Sequence, residues 1–233
     1  MIALREFAIE DCGPYSLTLA RGDVVGVVGW RGASATYLLE ACAGVRRHKG
    51  ELLVEGRLRR PTDVAYAPEG VEQILFGRTA AEAIGPRGVA FAARLGVEHL
   101  LSRPPQELSS GERRRLALAA VFGSGRPLLL LDRPTAGLDP DGQDLFWQAA
   151  CDYPGVLLLT LSWPEEAPLC TALLPAPGIG GAWPGGPLSA ERQREVRWPP
   201  DAAADLRWTL GAPGRWDDPA KEVDRWRAKR KPR

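Results

Sequence analysis

Short apolar runs alternate with amphipathic stretches along most of this chain. Three of the runs are dominated by valine or leucine and show no polar alternation; they cover residues 23–29, 127–132 and 155–160. Runs of this kind are typical of strands that are buried on both faces of a parallel sheet. We therefore expect these three segments to form the centre of a sheet.

The remaining pattern predicts further strands and the helices between them. The strand candidates cover residues 2–9, 15–19, 51–54 and 64–67, and the helix candidates cover residues 36–43, 109–122 and 141–150. Residues 70–106 are loosely helical, with Gly and Pro interruptions. Strands that alternate with helices predict an α/β fold with a largely parallel sheet.

The composition changes near residue 175. Beyond it Pro, Gly and Trp dominate, which predicts an irregular appendage over residues 176–233 after one large domain over residues 1–175. The end of the appendage is basic, since residues 221–233 contain seven Lys or Arg and two acidic residues. This tail is either a disordered, solubilising segment or a contact for anionic lipid headgroups. The whole chain has a net charge of +1, so we expect no nucleic acid partner.

The cysteines and the apolar runs limit where the protein acts. Cys12, Cys42, Cys151 and Cys170 lie far apart, without the spacing of a metal or redox motif, and are predicted to be buried thiols in a reducing cytosol. No apolar run approaches the roughly 18 residues that a membrane-spanning helix needs, and no leader pattern opens the sequence. We therefore expect a protein that neither crosses a membrane nor is secreted.

A first candidate motif lies between the buried strand that ends at residue 29 and the first helix. In a phosphate-binding loop at such a place, backbone N–H groups hold phosphate, a lysine reaches the outer phosphates and a Ser or Thr binds Mg²⁺. The segment consists of Gly29, Trp30, Arg31, Gly32, Ala33, Ser34, Ala35 and Thr36. Ser34 replaces the second glycine of the pattern and Ala35 replaces the lysine. By itself the segment is more typical of an ordinary strand–turn–helix corner.

A second motif is more specific. Residues 108–112 read Leu-Ser-Ser-Gly-Glu and open a helical stretch, and residues 128–139 follow as a leucine run, Asp132, Arg133 and a turn that ends in Asp139. At this spacing the two segments resemble the LSGGQ signature and the Walker B strand with its D-loop in the ABC ATPase family. The resemblance extends over about residues 2–175. Residues 73–84 are most similar to the ATPases of energy-coupling factor importers.

The resemblance implies an ABC-type P-loop NTPase fold. Such a fold has a parallel-sheet core, a small antiparallel β part and a helical subdomain, here trimmed and placed at about residues 70–122, with the irregular C-terminal appendage added to it. In the family this subdomain docks on transmembrane subunits; the alternative is a local helix pair without that role. The three consecutive arginines Arg113, Arg114 and Arg115 are predicted to lie on a solvated helix face.

In the ABC family each ATP lies between two subunits, one acting in cis and the other in trans. The cis subunit contributes the phosphate loop, the Q-loop, the Walker B strand and the H-loop. The family positions for the lysine, the Q-loop glutamine, the catalytic glutamate and the H-loop histidine fall on Ala35, Glu69, Arg133 and Ser162. Thr36 and Asp132 are retained as candidate Mg²⁺ ligands.

The trans subunit contributes the signature and the D-loop, and both are kept in this chain. The signature segment consists of Leu108, Ser109, Ser110, Gly111 and Glu112. The D-loop consists of Ala136, Gly137, Leu138 and Asp139. The resemblance therefore implies intact trans elements beside a cis half-site that is inactive or very slow.

The expected function is that of a degenerate nucleotide-binding subunit of an ABC transporter, of the energy-coupling factor type, on the inner face of the cell membrane. It would pair with a competent ATPase subunit and a transmembrane subunit, and complete an ATP–Mg²⁺ site in trans. Arg31 or Arg133 could act as a substitute phosphate clamp. The alternatives are a soluble scaffold or regulator without a transport role, and a self-sufficient homodimeric ATPase.

Overall fold

The computed structural model describes residues 1–9, 12–29, 33–162 and 164–176. The predicted appendage with its basic tail, and Trp30, Arg31 and Gly32 of the predicted loop, lie outside these residues. The strands are β1 Ile2–Ile9, β2 Cys12–Leu19, β3 Val24–Gly29, β4 Lys49–Val54, β5 Arg57–Leu58, β6 Val64–Ala67, β7 Leu128–Leu131, β8 Val156–Thr160 and β9 Ala172–Ala176. The helices are α1 Ala33–Ala43, α2 Ala80–Ala92, α3 Ser110–Gly123 and α4 Pro140–Cys151. Within the described ranges, no helix combines the length and the apolar character that a membrane crossing requires.

A parallel sheet with the order β6-β7-β8-β3-β9 forms the core, as the apolar runs predicted. In β7 every residue is buried, and its neighbour β8 pairs with it in register, Leu129 opposite Leu157. Leu129 and Leu157 belong to the apolar cluster on one face of the sheet, and Leu128 and Leu130 to the cluster on the other face. The sheet is thus covered on both faces, and the predicted α/β class is confirmed.

An antiparallel sheet with the order β2-β1-β4-β5 lies on the α1 side of the core. Helix α1 packs against both sheets, because Leu38 and Leu39 share one buried cluster with Val25 of β3 and with Leu4 and Phe7 of β1. The packing of α1 therefore joins the antiparallel sheet to the parallel core.

The other face of the parallel sheet is covered by α2, α3 and α4. Phe122 on α3 lies at the centre of an aromatic cluster, 5.3 Å from the ring of Phe91 and 5.9 Å from that of Phe146. Close approach of α2 and α3 requires glycine, because a Cβ on Gly123 would lie 2.3 Å from the carbonyl oxygen of Arg87. Glycine at this position therefore allows α2 and α3 to pack closely against each other.

Several predicted boundaries differ from those of the structure. Helix α1 begins at Ala33 rather than at residue 36, because the alanines of this turn are strong helix formers. Strand β9 was not predicted, although it pairs with β3 from Val25–Ala172 to Gly29–Ala176. Its sequence contains Pro175, which weakens the local signal; an edge position tolerates proline.

Of the four thiols predicted to be buried, the structure describes the exposure of three. Cys42 and Cys170 are buried, and Cys151 is half-buried. Burial raises the pKa of Cys42 to about 12 and raises that of Cys170 well above its ordinary value. The buried thiols are therefore protonated near neutral pH, a form that is neither nucleophilic nor metal-binding.

An ion pair beside the antiparallel sheet gives the fold an acid-sensitive contact. Asp63 is buried and accepts two hydrogen bonds from the Arg57 guanidinium, at 2.6 and 2.8 Å, and one from the Arg60 N–H at 2.7 Å. The bonds to Arg57 are the main cause that lowers the pKa of Asp63 to about 2.

We expect Asp63→Asn to lower the free energy of unfolding at pH 7 by about 1–2 kcal/mol, allowing for the half-exposed arginine. A depressed pKa stabilises the fold above the unfolded pKa near 4, and this contribution disappears as the pH falls from about 4 to 2. Urea unfolding at pH 7 and pH 3 measures the effect. Glu55→Gln, which removes an exposed pair with Arg21, is the control with a small expected effect. An Asp63→Asn protein that loses stability between pH 7 and pH 3 as strongly as the parent would contradict the assignment.

Candidate functional site

The carboxyl ends of four parallel strands bring the predicted cis residues to one edge of the sheet. Glu69 follows β6, Asp132 follows β7, Ser162 follows β8, and β3 leads to α1. Open α/β sheets bind ligands at this edge. The structure joins three pairs there by hydrogen bonds: Thr36 with Asp132, Arg133 with Glu69, and Thr135 with Ser162.

The Asp132 carboxylate is held by two threonine hydroxyls. Thr160 Oγ1 donates to its Oδ1 at 2.6 Å, and Thr36 Oγ1 donates to its Oδ2 at 2.9 Å. Asp132 is only 3% exposed, so these bonds replace the water that the carboxylate loses on burial. Thr160 also accepts the N–H of Arg133 at 2.7 Å, which ties the turn after β7 to the end of β8.

The two retained side chains carry the hydroxyl and carboxylate oxygens that Mg²⁺ prefers as ligands. Thr36 Oγ1 donates to Asp132 Oδ2 at 2.9 Å, so the hydroxyl and the carboxylate lie together at the end of β7. When bound, Mg²⁺ would neutralise phosphate charge; this chain would contribute a hydroxyl and a carboxylate and leave the other positions to phosphate and water.

Arg133 directly follows Asp132 at the carboxyl end of β7 and is exposed. Its backbone has a left-handed φ of 46°, which is uncommon for a residue other than glycine. Its guanidinium donates to Glu69 Oε1 at 3.0 Å, and both side chains are about half exposed. An ion pair between Arg133 and Glu69 therefore spans the ends of β6 and β7, where the family resemblance predicts the catalytic glutamate and the Q-loop glutamine.

Ser162 belongs to a chain of polar groups that ends at a buried carboxylate. Ser162 Oγ and Thr135 Oγ1 are 2.8 Å apart, Thr135 contacts Glu166 Oε1, and the N–H of Ser162 donates to Glu166 Oε2 at 2.7 Å. Because a carboxylate only accepts, Thr135 donates to Glu166 and Ser162 donates to Thr135. Glu166 is 1% exposed, and the sequence did not predict it as part of the site. The only sequence feature that could have indicated it is its position four residues after Ser162.

The signature segment caps helix α3. Ser109 Oγ accepts the N–H of Glu112 at 3.2 Å, and the Glu112 carboxylate accepts the N–H of Ser109 at 2.8 Å. The hydrogen bond from the Ser109 N–H is the main cause that lowers the pKa of Glu112. This capping box orders the first turn of α3, whose N-terminus favours negative charge.

The D-loop lies next to the signature segment. Asp139 caps α4 by accepting the N–H of Gly142 at 2.9 Å, and Gly137 has a φ of 76° that glycine adopts readily. A Cβ placed on Gly111 would lie 3.6 Å from the carbonyl oxygen of Gly137. The two predicted trans elements therefore share one surface, although they are separated by more than twenty residues in the chain.

The prediction that Arg113, Arg114 and Arg115 form a solvated helix face is wrong for Arg114. It is 5% exposed, whereas Arg113 and Arg115 are half-buried. Its guanidinium contacts Glu72 and the backbone between β7 and the D-loop. The sequence did not indicate the burial of Arg114, because periodicity alone does not show which member of a run of charged residues faces inward.

A family model described as "ABC transporter" matches residues 12–136, more than half of the chain. The chain belongs to the ABC transporter family. The match includes the candidate phosphate loop, the signature segment and the Walker B strand.

Curated relatives within the family are named as ATP-binding proteins of importers or transporters. The chain is 34% identical over 141 residues to the zinc import ATP-binding protein ZnuC of Marinobacter nauticus, covering 55% of this chain and 51% of the relative. It is 34% identical over 149 residues to the thiamine import ATP-binding protein ThiQ of Escherichia coli K12, covering 54% and 62%. It is also 34% identical over 162 residues to the energy-coupling factor transporter ATP-binding protein EcfA2 of Symbiobacterium thermophilum, covering 59% and 56%. The matches thus span about half to three fifths of these relatives.

Solved structures confirm the ABC ATPase fold. The chain matches cbiO1 of Clostridium perfringens, part of the ABC transporter complex cbiONQ, with a TM-score of 0.67 at 18% identity, covering 90% of this chain and 95% of that one. It also matches a dimeric ATP-binding cassette bound to ADP and Pi, with a TM-score of 0.64 at 16% identity, covering 76% and 94%.

We expect Thr160→Val to lower the free energy of unfolding by about 3 kcal/mol, because it leaves the buried Asp132 without one donor and the Arg133 N–H without its acceptor. Thr160→Ser keeps the hydroxyl and should lower it by less than about 1 kcal/mol. Urea denaturation of the two variants measures the difference. Equal stability of the two variants would show that the hydroxyl does not hold the end of β7.

Proposed function

We propose that this chain is a degenerate nucleotide-binding subunit of an ABC transporter. It pairs with a catalytically competent ATPase subunit and supplies its signature segment and D-loop in trans to that subunit's ATP–Mg²⁺ site. Its own cis half-site is inactive or very slow. The proposal rests on the contrast between the two half-sites, and above all on Arg133.

Arg133 supports the loss of cis catalysis because it carries the wrong charge and has a partner of its own. Its guanidinium is hydrogen-bonded to Glu69 at 3.0 Å, so both side chains are engaged with each other. A guanidinium does not act as a general base near neutral pH.

Ala35, at the position of the family's phosphate-loop lysine, removes a second group that cis catalysis needs. The side chain is buried and apolar, so it contributes no charge to a phosphate. Phosphoryl transfer depends mainly on positioning and on charge stabilisation, and removing a general base alone slows a reaction by about 10²–10⁴. Two such losses in one half-site support very slow turnover there.

The trans elements support the second part of the proposal. The capping box of Ser109 and Glu112 orders the start of α3, and Gly111 approaches Gly137 of the D-loop. Backbone N–H groups at a helix N-terminus stabilise phosphate. A partner's γ-phosphate placed against this surface would meet an ordered anion-binding helix end.

The relatives favour an importer of the energy-coupling factor type. EcfA2, ZnuC and ThiQ carry import or coupling functions in their names, and the resemblance of residues 73–84 favours the same group. In this assignment the chain is peripheral on the cytoplasmic face of the membrane and binds a transmembrane subunit. One competent site is sufficient for such a pair, because a single hydrolysis event separates the two subunits.

We expect Ser109→Arg to reduce the ATPase rate of the assembled complex at least about hundredfold, because a bulky side chain at the start of α3 prevents closure on the partner's ATP. Asp132→Asn should change the rate less than about threefold, because this chain's own Mg²⁺ ligand is idle. The complex is purified through an affinity tag on this chain, and the chain alone should show background hydrolysis.

The opposite ranking of the two variants would place the working half-site on this chain. An unchanged rate in both variants, or purification without a second ATPase subunit, would favour the scaffold alternative. Turnover by the chain alone that disappears in Asp132→Asn would favour the homodimeric ATPase.

Phe76 marks the surface that we assign to the transmembrane subunit. The side chain is 76% exposed and lies between the 3₁₀ turn Val71–Ile74 and helix α2, within the segment that resembles the docking region of the family. Large exposed aromatic side chains often anchor interfaces. A partner that covered Phe76 would gain about 1.5–3 kcal/mol from its burial.

We expect Phe76→Ser to weaken binding of the transmembrane subunit by about ten- to hundredfold, as the lost burial predicts. Co-purification of the membrane subunit with tagged chain at several concentrations measures this loss. Val45→Ser is the matched control, since Val45 is 70% exposed but follows α1, away from this segment. Equal loss in both variants, or none in Phe76→Ser, would contradict the assignment.

A further inference from the structure

Arg114 is a charged side chain in an apolar layer. It lies in the second turn of α3, next to buried Leu116 and Ala117, and is 5% exposed. Arginine is almost never fully buried unless it is paired, because a guanidinium loses several kcal/mol of hydration. Its partners therefore show what its burial achieves.

The guanidinium of Arg114 holds three consecutive carbonyl groups and one carboxylate. Nε donates to the carbonyl oxygen of Pro134 at 3.2 Å. One terminal nitrogen donates to the carbonyl oxygens of Asp132 and Arg133, at 3.4 and 2.5 Å. The other terminal nitrogen donates to Glu72 Oε2 at 2.8 Å, and the Glu72 side chain is only 16% exposed.

These contacts connect the two elements of the trans surface. Arg114 lies five residues after Ser109, on the helix that the signature segment starts. The three carbonyls belong to the turn that leads from β7 into the D-loop, residues 136–139. The signature segment and the D-loop thus come from separate parts of the chain, and Arg114 bonds the helix of one to the backbone that precedes the other.

We propose that Arg114 is a positioning residue that fixes the signature segment and the D-loop relative to each other, with Glu72 as its counterion. This inference rests on the proposed trans function of the two elements. A shift of about 1 Å in groups that surround a reacting phosphate lowers the rate by up to about hundredfold. The cluster keeps the spacing of the trans surface constant when a partner's nucleotide binds.

The variant Arg114→Lys distinguishes a positioning role of Arg114 from simple charge compensation of Glu72. An ammonium group keeps the positive charge opposite Glu72, but its donors all lie on one atom. It cannot span the carbonyls of residues 132–134 together with the Glu72 carboxylate as the guanidinium does. Arg114→Lys should therefore release the turn while it retains the ion pair.

The first experiment measures amide hydrogen exchange in the full-length chain. In Arg114→Lys we expect exchange in residues 109–112 and 135–139 to become at least about tenfold faster, while exchange in the core turn of residues 116–122 changes less than about twofold. The matched control is Arg113→Lys on the same helix, for which no change is expected. A uniform increase along α3, or no increase in the two segments, would overturn the inference, since a merely structural arginine would weaken the helix as a whole.

The second experiment measures ATP hydrolysis by the complex purified through this chain, well below its unfolding temperature. For Arg114→Lys we expect kcat to fall about ten- to hundredfold while KM for ATP changes less than about threefold, because misplaced trans groups act mainly on the transition state. Glu72→Ala should lower kcat in the same direction by a smaller factor. An unchanged kcat in Arg114→Lys would overturn the positioning role.

Ser109→Arg in the same complex separates this inference from the proposed function. If Ser109→Arg abolishes hydrolysis and Arg114→Lys does not slow it, the trans function stands and the positioning role of Arg114 is wrong. If Ser109→Arg leaves hydrolysis unchanged, the trans function is wrong, and the inference about Arg114 as a positioning residue for that function is wrong with it.

Discussion

The burial of β7 and β8 on both faces is the constraint from which the rest of this structure follows. Along β7, Leu128 and Leu130 enter the cluster shared with α1, and Leu129 and Leu131 enter the cluster shared with the helical layer. Burial on both faces is typical of parallel strands, because their crossover helices cover the two faces of the sheet. Parallel strands end at one edge, and that edge collects the polar side chains that follow each strand.

At this edge the charged side chains are hydrogen-bonded to other side chains of the same chain. The Asp132 carboxylate accepts hydrogen bonds from two hydroxyl groups, and Arg133 is paired with Glu69. Glu166 is bound by Thr135 and the N–H of Ser162. Each contact stabilises the turns at this edge. In the proposed function, Arg133 leaves a cation where ATP hydrolysis needs a base.

The trans surface is stabilised by different interactions. The capping box of Ser109 and Glu112 is local to the start of α3, whereas Arg114 makes long-range bonds to the turn before the D-loop. Arg114 holds the backbone carbonyl groups of Asp132 and Arg133, not their side chains. Under the proposed function, side chains of the cis half-site can therefore change while the geometry of the trans surface is kept.

The sequence by itself determined the fold class, the parallel core and the family, because strand burial and helix capping leave strong local patterns. The signature and Walker B spacing identified the family before the structure was known, and the family model confirmed it. Only the tertiary structure showed the features that depend on contacts between distant parts of the chain. It showed that Arg114 faces inward among three equivalent arginines, that Glu166 is a buried partner of Ser162, and that β9 completes the sheet. These features depend on contacts between distant segments, and such contacts exist only after the chain has folded.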